Sequence, residues 1–149
     1  YNSKQLDAIL EKFNVDIVQL PINIFDQHFF LGGWLKRLKD NNIEIHARSV
    51  FLQGLLLMSP DSLPPYFSPI KEKMVKFSKM ASNFSLSKLE LALSYVMCIH
   101  EIDQVVIGIN NLQHLHEIIN AASIRVSTRD FSNLLIDDPA FINPTNWKI

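Results

Sequence analysis

Three short apolar runs in this chain each end in a cluster of polar residues. Asp16-Ile-Val-Gln19-Leu-Pro21 leads to Asn23 and Asp26. Glu44-Ile-His-Ala-Arg48 leads to Ser49, Gln53 and Gly54. Val105-Val-Ile-Gly108 leads to Asn110 and Asn111. The clusters hold amides, hydroxyls and one guanidinium, and Asp26 is the one strong acid or base among them. Such groups bind and orient a polar ligand, but they do not by themselves carry out a reaction. The turn from Gly108 to Asn111 feeds a helix, whose free N–H groups and dipole make an anion site. Each residue also has a plainer reading. Gln19 can be a satisfied interior amide, and Arg48 can be the ion-pair partner of Asp16, Asp26 or Glu44. Gly54 can serve only a tight bend, and Asn110-Asn111 only a helix cap. His46 reads as packing.

The elements that position these residues follow from periodicity. Ser3 caps a helix expected over 3–13, with Leu6, Ile9, Leu10 and Phe13 on one face. A strand over 16–20 stops at Pro21. A helix over 28–40 would bury Phe30, Leu31, Trp34, Leu35 and Leu38, and Gly32-Gly33 weakens its middle. A second strand covers 43–48. The connection over 49–68 contains Pro60, Pro64 and Pro65, and its length marks it as functional or mobile. Pro69 opens a helix with Ile70, Met74, Phe77 and Ala81 facing inward. Ser87-Lys-Leu-Glu90 is a capping box for a helix to about residue 99. A third strand over 103–107 and a helix over 112–121 follow, then an irregular tail over 123–149. This alternation predicts an α/β protein with a parallel sheet covered by helices.

Composition narrows the function. The chain has 149 residues, 48% of them hydrophobic, enough for one domain or one piece of a larger one. With 14 basic and 15 acidic residues and no long run of one sign, nothing attracts nucleic acid or an anionic membrane. The single cysteine, Cys98, lies in an apolar stretch and reads as a small buried hydrophobe. No histidine has a second ligand at metal spacing; His114 and His116 fall on different faces of a helix. No apolar run reaches membrane-spanning length, and no signal peptide heads the chain, so a cytoplasmic setting is expected. No Gly-x-Gly-x-x-Gly occurs, which argues against a self-contained Rossmann site. Three strands are too few for a complete flavodoxin-like domain.

The same three segments, in the same order, resemble the aldo-keto reductase superfamily, in particular bacterial oxidoreductases of the aryl-alcohol dehydrogenase-like kind. Asp16-Ile-Val-Gln19-Leu-Pro21-Ile-Asn23 resembles the sixth barrel strand, where Gln19 matches a glutamine that binds the nicotinamide carboxamide. Arg48-Ser49-Val50-Phe51-Leu-Gln53-Gly54-Leu-Leu resembles the segment after strand seven. There Ser49 matches a pyrophosphate-binding serine, Gly54 matches a glycine, and Arg48 replaces an aromatic that stacks on the nicotinamide. The stretch from Val105 to Glu117 resembles strand eight and the adenosine-binding helix. His114 stands at a position the family fills with arginine, and Glu117 matches an acidic adenine contact.

The resemblance covers residues 2–122 and implies the C-terminal portion of a (β/α)8 TIM barrel, about strands six to eight. A full barrel takes about 250 residues, so residues 1–149 are expected to form a single partial domain. The start at Tyr1, directly before a helix, fits a piece of a longer chain. The implied cofactor is NADP or NAD, and the implied partner a small carbonyl substrate. The cofactor-binding residues would be Gln19, Arg48, Ser49, Phe51, Gln53, Gly54, Gly108, Asn110, Asn111, His114 and Glu117. No residue matches the family's Asp, Tyr, Lys and His tetrad, so the chain alone is expected to be catalytically inactive. The alternative is a non-catalytic half-barrel that self-associates as a homodimer through open sheet edges.

Overall fold

The computed structural model describes residues 3–126 and 131–148. The expected start at Tyr1 and part of the expected tail, residues 127–130 and 149, lie outside these. Strands β1 (Ile17–Pro21), β2 (Glu44–Arg48) and β3 (Gln104–Val105) form a parallel sheet in the order β1-β2-β3. The register pairs Gln19 with His46, and His46 with Gln104. Partners in register share a face, so these three polar residues form one row across the sheet. On β2 the alternation is complete. Ile45 and Ala47 are fully buried toward the helices, and Glu44, His46 and Arg48 are half-buried on the opposite face. His46 therefore shares Arg48's face, where its Nε2 lies 2.7 Å from the Glu44 carboxylate.

Helices α1 (Ser3–Leu10), α2 (His28–Leu31), α3 (Trp34–Asp40), α4 (Lys71–Asn83), α5 (Lys88–Met97), α6 (Leu112–Ala121) and α7 (Pro139–Ile142) surround the sheet. The expected helix over 28–40 is broken in two. Gly33 is left-handed at φ 73°, and a Cβ on Gly32 would lie 2.8 Å from the His28 carbonyl. The break resets the helical phase, so Phe29, Leu35 and Leu38 are buried while Phe30 and Leu31 are exposed. Helix α1 ends before Phe13, and Ile9 and Phe13 are exposed.

The connection over 49–68 is packed rather than open. It makes turns of 3-10 helix at Leu55–Leu57, Pro60–Ser62 and Pro65–Ile70, the last running directly into α4. Val50, Phe51, Leu52, Leu55, Leu56 and Phe67 are buried within it. Ile70, Met74, Phe77 and Ala81 face the core as their spacing predicts. The capping box of α5 is complete: the Glu90 N–H donates to Ser87 Oγ at 3.2 Å, and the Ser87 N–H donates to the Glu90 carboxylate at 2.7 Å. In the tail, Phe131, Leu134 and Ile136 are buried. Buried Gln27 links the tail to the core, its Nε2 donating to the carbonyls of Ile24 (2.7 Å) and Phe131 (2.9 Å).

The two-residue β3 is extended by a side chain. The Asp103 carboxylate accepts the Ile45 N–H at 2.7 Å and the Lys39 ammonium at 2.8 Å. These bonds, the one from Lys39 foremost, hold the Asp103 carboxyl below its usual range. A carboxyl lowered on folding stabilises the fold above its unfolded pKa, and that contribution is lost as pH falls through the folded value. Asp103→Asn is therefore expected to flatten the stability–pH curve below about pH 4. Urea unfolding at several pH values checks this; parallel curves for the two proteins would count against it.

Candidate functional site

The carboxyl ends of all three strands open onto one cavity of about 450 Å³. β1 contributes Gln19. The end of β2 and the loop after it contribute Arg48, Ser49, Phe51, Gln53 and Gly54. The end of β3 and α6 contribute Gly108, Asn110 and His114. Nine of the eleven residues singled out above thus line a single space. Asn111 and Glu117 do not line it. Asn111 caps α6, its Oδ1 accepting the His114 N–H at 2.8 Å, and Glu117 accepts from Gln113 Nε2 at 2.9 Å on the exposed face of the helix. The rings of Phe51 and His114 lie 6.5 Å apart, within contact range for an aromatic pair.

The loop after β2 owes its shape to left-handed backbone at Ser49 (φ 59°), Leu52 (φ 47°), Gln53 (φ 54°) and Gly54 (φ 84°). Consecutive tight turns require it: the Leu52 N–H donates to the Ser49 carbonyl, the Gly54 N–H to Phe51, and the Leu55 N–H to Leu52, each at 2.9–3.0 Å. For residues other than glycine this conformation is costly and persists only where the surroundings enforce it. Leu52, fully buried, is one anchor. Arg48 Nη1 donates to Ser49 Oγ at 3.1 Å, fixing the guanidinium against the turn. Of the carboxylates considered as partners for Arg48, that of Asp26 contacts His28 and that of Glu44 contacts His46.

Asn23 and Asp26 stand among the strand-end residues named above, but two contacts they make were not read from sequence. Asn23, completely buried, ties the first two strand ends together. Its Oδ1 accepts the N–H groups of Phe25 and Asp26, each at 3.0 Å, and its Nδ2 donates to the Ser49 carbonyl at 3.2 Å. An asparagine two residues past a strand, followed by a turn, is the available signal. The second is that of buried Asp26, held against His28 Nδ1. The pair borders another cavity, of about 540 Å³, between the ends of β1 and β2 and the tail. Arg48, Ser49 and Gln53 form the wall common to the two cavities. Among the described residues no cluster of three or more His, Cys, Asp or Glu is placed to hold a metal ion, and no helix is long and apolar enough to cross a membrane.

A parallel sheet covered by helices, with polar strand ends converging on a cavity, defines an α/β protein, a class in which ligands gather at the carboxyl ends of the strands. The chain belongs to the aldo/keto reductase family, whose model matches residues 1–135. Its fold is similar to that of an aldo-keto reductase from Bacillus halodurans in its apo form: TM-score 0.69 at 15% identity, covering 87% of this chain and 46% of the other. The glycerol dehydrogenase of Gluconobacter oxydans matches with TM-score 0.69 at 19% identity, over 97% of this chain and 48% of that one. A thermostable aldo-keto reductase in complex with the inhibitor epalrestat matches with TM-score 0.63 at 16% identity, over 90% and 44%. The chain thus spans less than half the length of these structures. Among curated proteins, none matches the chain.

Proposed function

We propose that this chain forms the cofactor-holding side of an NAD(P)-dependent reductase of aldehydes or ketones, and corresponds to strands six to eight of a (β/α)8 barrel. The observation that carries this reading is the cavity shared by the three strand ends. It is lined by amides, a hydroxyl and the Arg48 guanidinium, with no carboxylate. It adjoins the start of α6, whose first-turn N–H groups have no intrahelical acceptors. That donor set suits a polyanionic dinucleotide.

In this reading Gln19 orients the nicotinamide amide, and Arg48 supplies a planar face against the ring in place of an aromatic. Ser49 and the turn over 108–111 hold the phosphates, with Phe51, Gln53, Gly54 and His114 shaping the wall. Glu117 lies further along α6, toward the adenine end. Bound cofactor supplies the hydride. The proton delivered to the carbonyl oxygen is assigned to no residue of this chain, so the purified chain is expected to bind cofactor without reducing carbonyls.

Titration with NADPH and NADH, followed by cofactor fluorescence, tests this. Saturable binding of at least one is expected. Ser49→Glu should weaken it by about tenfold or more, because a carboxylate then faces phosphate in a partly desolvated wall. Absence of binding of either nucleotide, or carbonyl reduction by the chain alone, overturns the reading.

A second reading, self-association without catalysis, is favoured by one observation. A largely apolar cavity of about 740 Å³, bordered by Leu6, Ile9, Ile17 and Val18, runs along the open edge of β1. Sedimentation decides it: a dimer at micromolar concentration supports this reading, and a monodisperse monomer rejects it.

A further inference from the structure

We propose that a cavity on the flank of the fold, between α2, the end of α5 and the tail, binds a small neutral aromatic compound whose single N–H or O–H group donates to Gln27 Oε1. This goes beyond the cofactor reading and does not rest on it. The cavity, of about 300 Å³, shares no lining residue with the two cavities at the strand ends.

Gln27 is 2% exposed. Its Nε2 donates to the carbonyls of Ile24 (2.7 Å) and Phe131 (2.9 Å), which occupies both of its protons. Two carbonyl partners settle which end of the amide is nitrogen, so Oε1 is held in place as an acceptor. Among the described residues nothing donates to it. Nor is it sealed in. The Tyr95 hydroxyl is the one side-chain polar atom of the described residues that is both enclosed and unpartnered. Gln27 borders the cavity, and its free oxygen opens onto it. A buried amide with both donors satisfied and its acceptor vacant lacks one donor, and a ligand can supply it.

The walls define the rest of the ligand. Phe30, Leu31, Ile99 and Val126 border the cavity with apolar side chains. Tyr95 and Phe131 meet there edge to face, with ring centroids 5.5 Å apart. Phe30 and Leu31 are exposed, and a ligand seated against them covers adjacent apolar surface. The other polar groups are engaged: the Cys98 thiol donates to the Val126 carbonyl at 3.3 Å, and His100 contacts Glu101 at 3.4 Å. A charged ligand would give up its hydration against mostly apolar walls, and aromatic walls favour a ring. One vacant acceptor calls for one donor. The volume lies at the small end for ligand cavities, which suits one ring or two fused rings.

Nitrogen-15 NMR of the wild-type chain, with indole as probe and benzofuran as comparison, tests the proposal. Benzofuran has the shape of indole without the N–H. Indole should bind saturably and shift the Gln27 side-chain amide and the backbone signals of Phe30, Leu31 and Cys98. It should bind about fivefold more tightly than benzofuran, the effect of one neutral hydrogen bond. No saturable binding, equal or tighter binding of benzofuran, or shifts confined to Ser49, Gln53 and Gly108 overturns the proposal. Phe30→Ala removes an exposed ring from the wall and should weaken indole binding by about fivefold, the range for one aromatic contact. Undiminished indole binding in that variant also overturns the proposal.

Discussion

Asn23→Leu is expected to destabilise the chain by about 3 kcal/mol or more, the sum of leaving buried backbone partners unsatisfied. Asn23 is 0% exposed and makes three side-chain hydrogen bonds, to the N–H groups of Phe25 and Asp26 and to the Ser49 carbonyl. Leucine has the same branched shape and number of side-chain heavy atoms, so the change opens no cavity. Asn23→Asp separates the two jobs of the side chain. It keeps an acceptor for the turn over 23–26 but places a carboxylate oxygen against the Ser49 carbonyl. The Ser49 turn, left-handed at φ 59°, then loses a brace, and cofactor affinity is expected to fall in a protein that still folds. Urea unfolding and an NADPH titration read the two effects. A cost below about 1 kcal/mol for the leucine variant, within the range of a single ordinary hydrogen bond, would show that Asn23 does not hold the strand ends together.

The residues that carry regular periodicity were the legible ones. The strand expected over 43–48 is present as Glu44–Arg48, and its alternation sets Ile45 and Ala47 inward. The Ser87–Glu90 box and the Asn111 cap are local motifs whose partners lie three residues away, so sequence spacing alone shows them. The same locality explains the strand-end set. Gln19, Ser49 and Gly108 sit at the ends of parallel strands, and a parallel sheet brings such ends together whatever the intervening loops do.

What was not legible depends on distant partners or broken phase. Phe30 and Leu31 extend the apolar stripe of α3 only if the helix is continuous; the left-handed Gly33 shifts them to solvent and turns Phe29 inward. The strand expected over 103–107 is regular over Gln104–Val105 only; on either side the Asp103 and Val106 N–H groups donate to the Ile45 and Ala47 carbonyls, and the Asp103 carboxylate takes the Ile45 N–H. Among the candidate site residues, Glu117 matched by position along the helix, but its side chain bonds Gln113 away from the cavity. The Asp26–His28 pair is close in sequence, yet its cavity exists only because residues 136–146 fold back over the strand ends. No local pattern announces a contact across more than a hundred residues.

Phe25→Ala is expected to cost about 3–5 kcal/mol, the range for truncating a fully buried phenylalanine. Phe25 is 0% exposed and meets Phe77 of α4 edge to face, with ring centroids 5.9 Å apart and planes at 71°. Removing the ring takes away both the transfer term and this contact. The damage should not spread evenly. The Phe25 carbonyl accepts the Ile136 N–H at 2.9 Å, so the turn that carries this ring also anchors the tail. A collapsing cavity at Phe25 moves that carbonyl; the tail is held elsewhere by Gln27, by Tyr66 Oη donating to the Ala140 carbonyl, and by the Phe67–Trp147 and Tyr66–Phe141 ring contacts, so the loosening centres on Ile136. Hydrogen exchange should therefore quicken at Ile136 before it quickens in the sheet. Phe30→Ala is the control. That ring is 40% exposed, and its loss should cost less than about 1 kcal/mol, as for most surface changes. Equal costs for the two variants, or uniform exchange across the chain in Phe25→Ala, would show that the tail and the strand ends are not coupled through this turn.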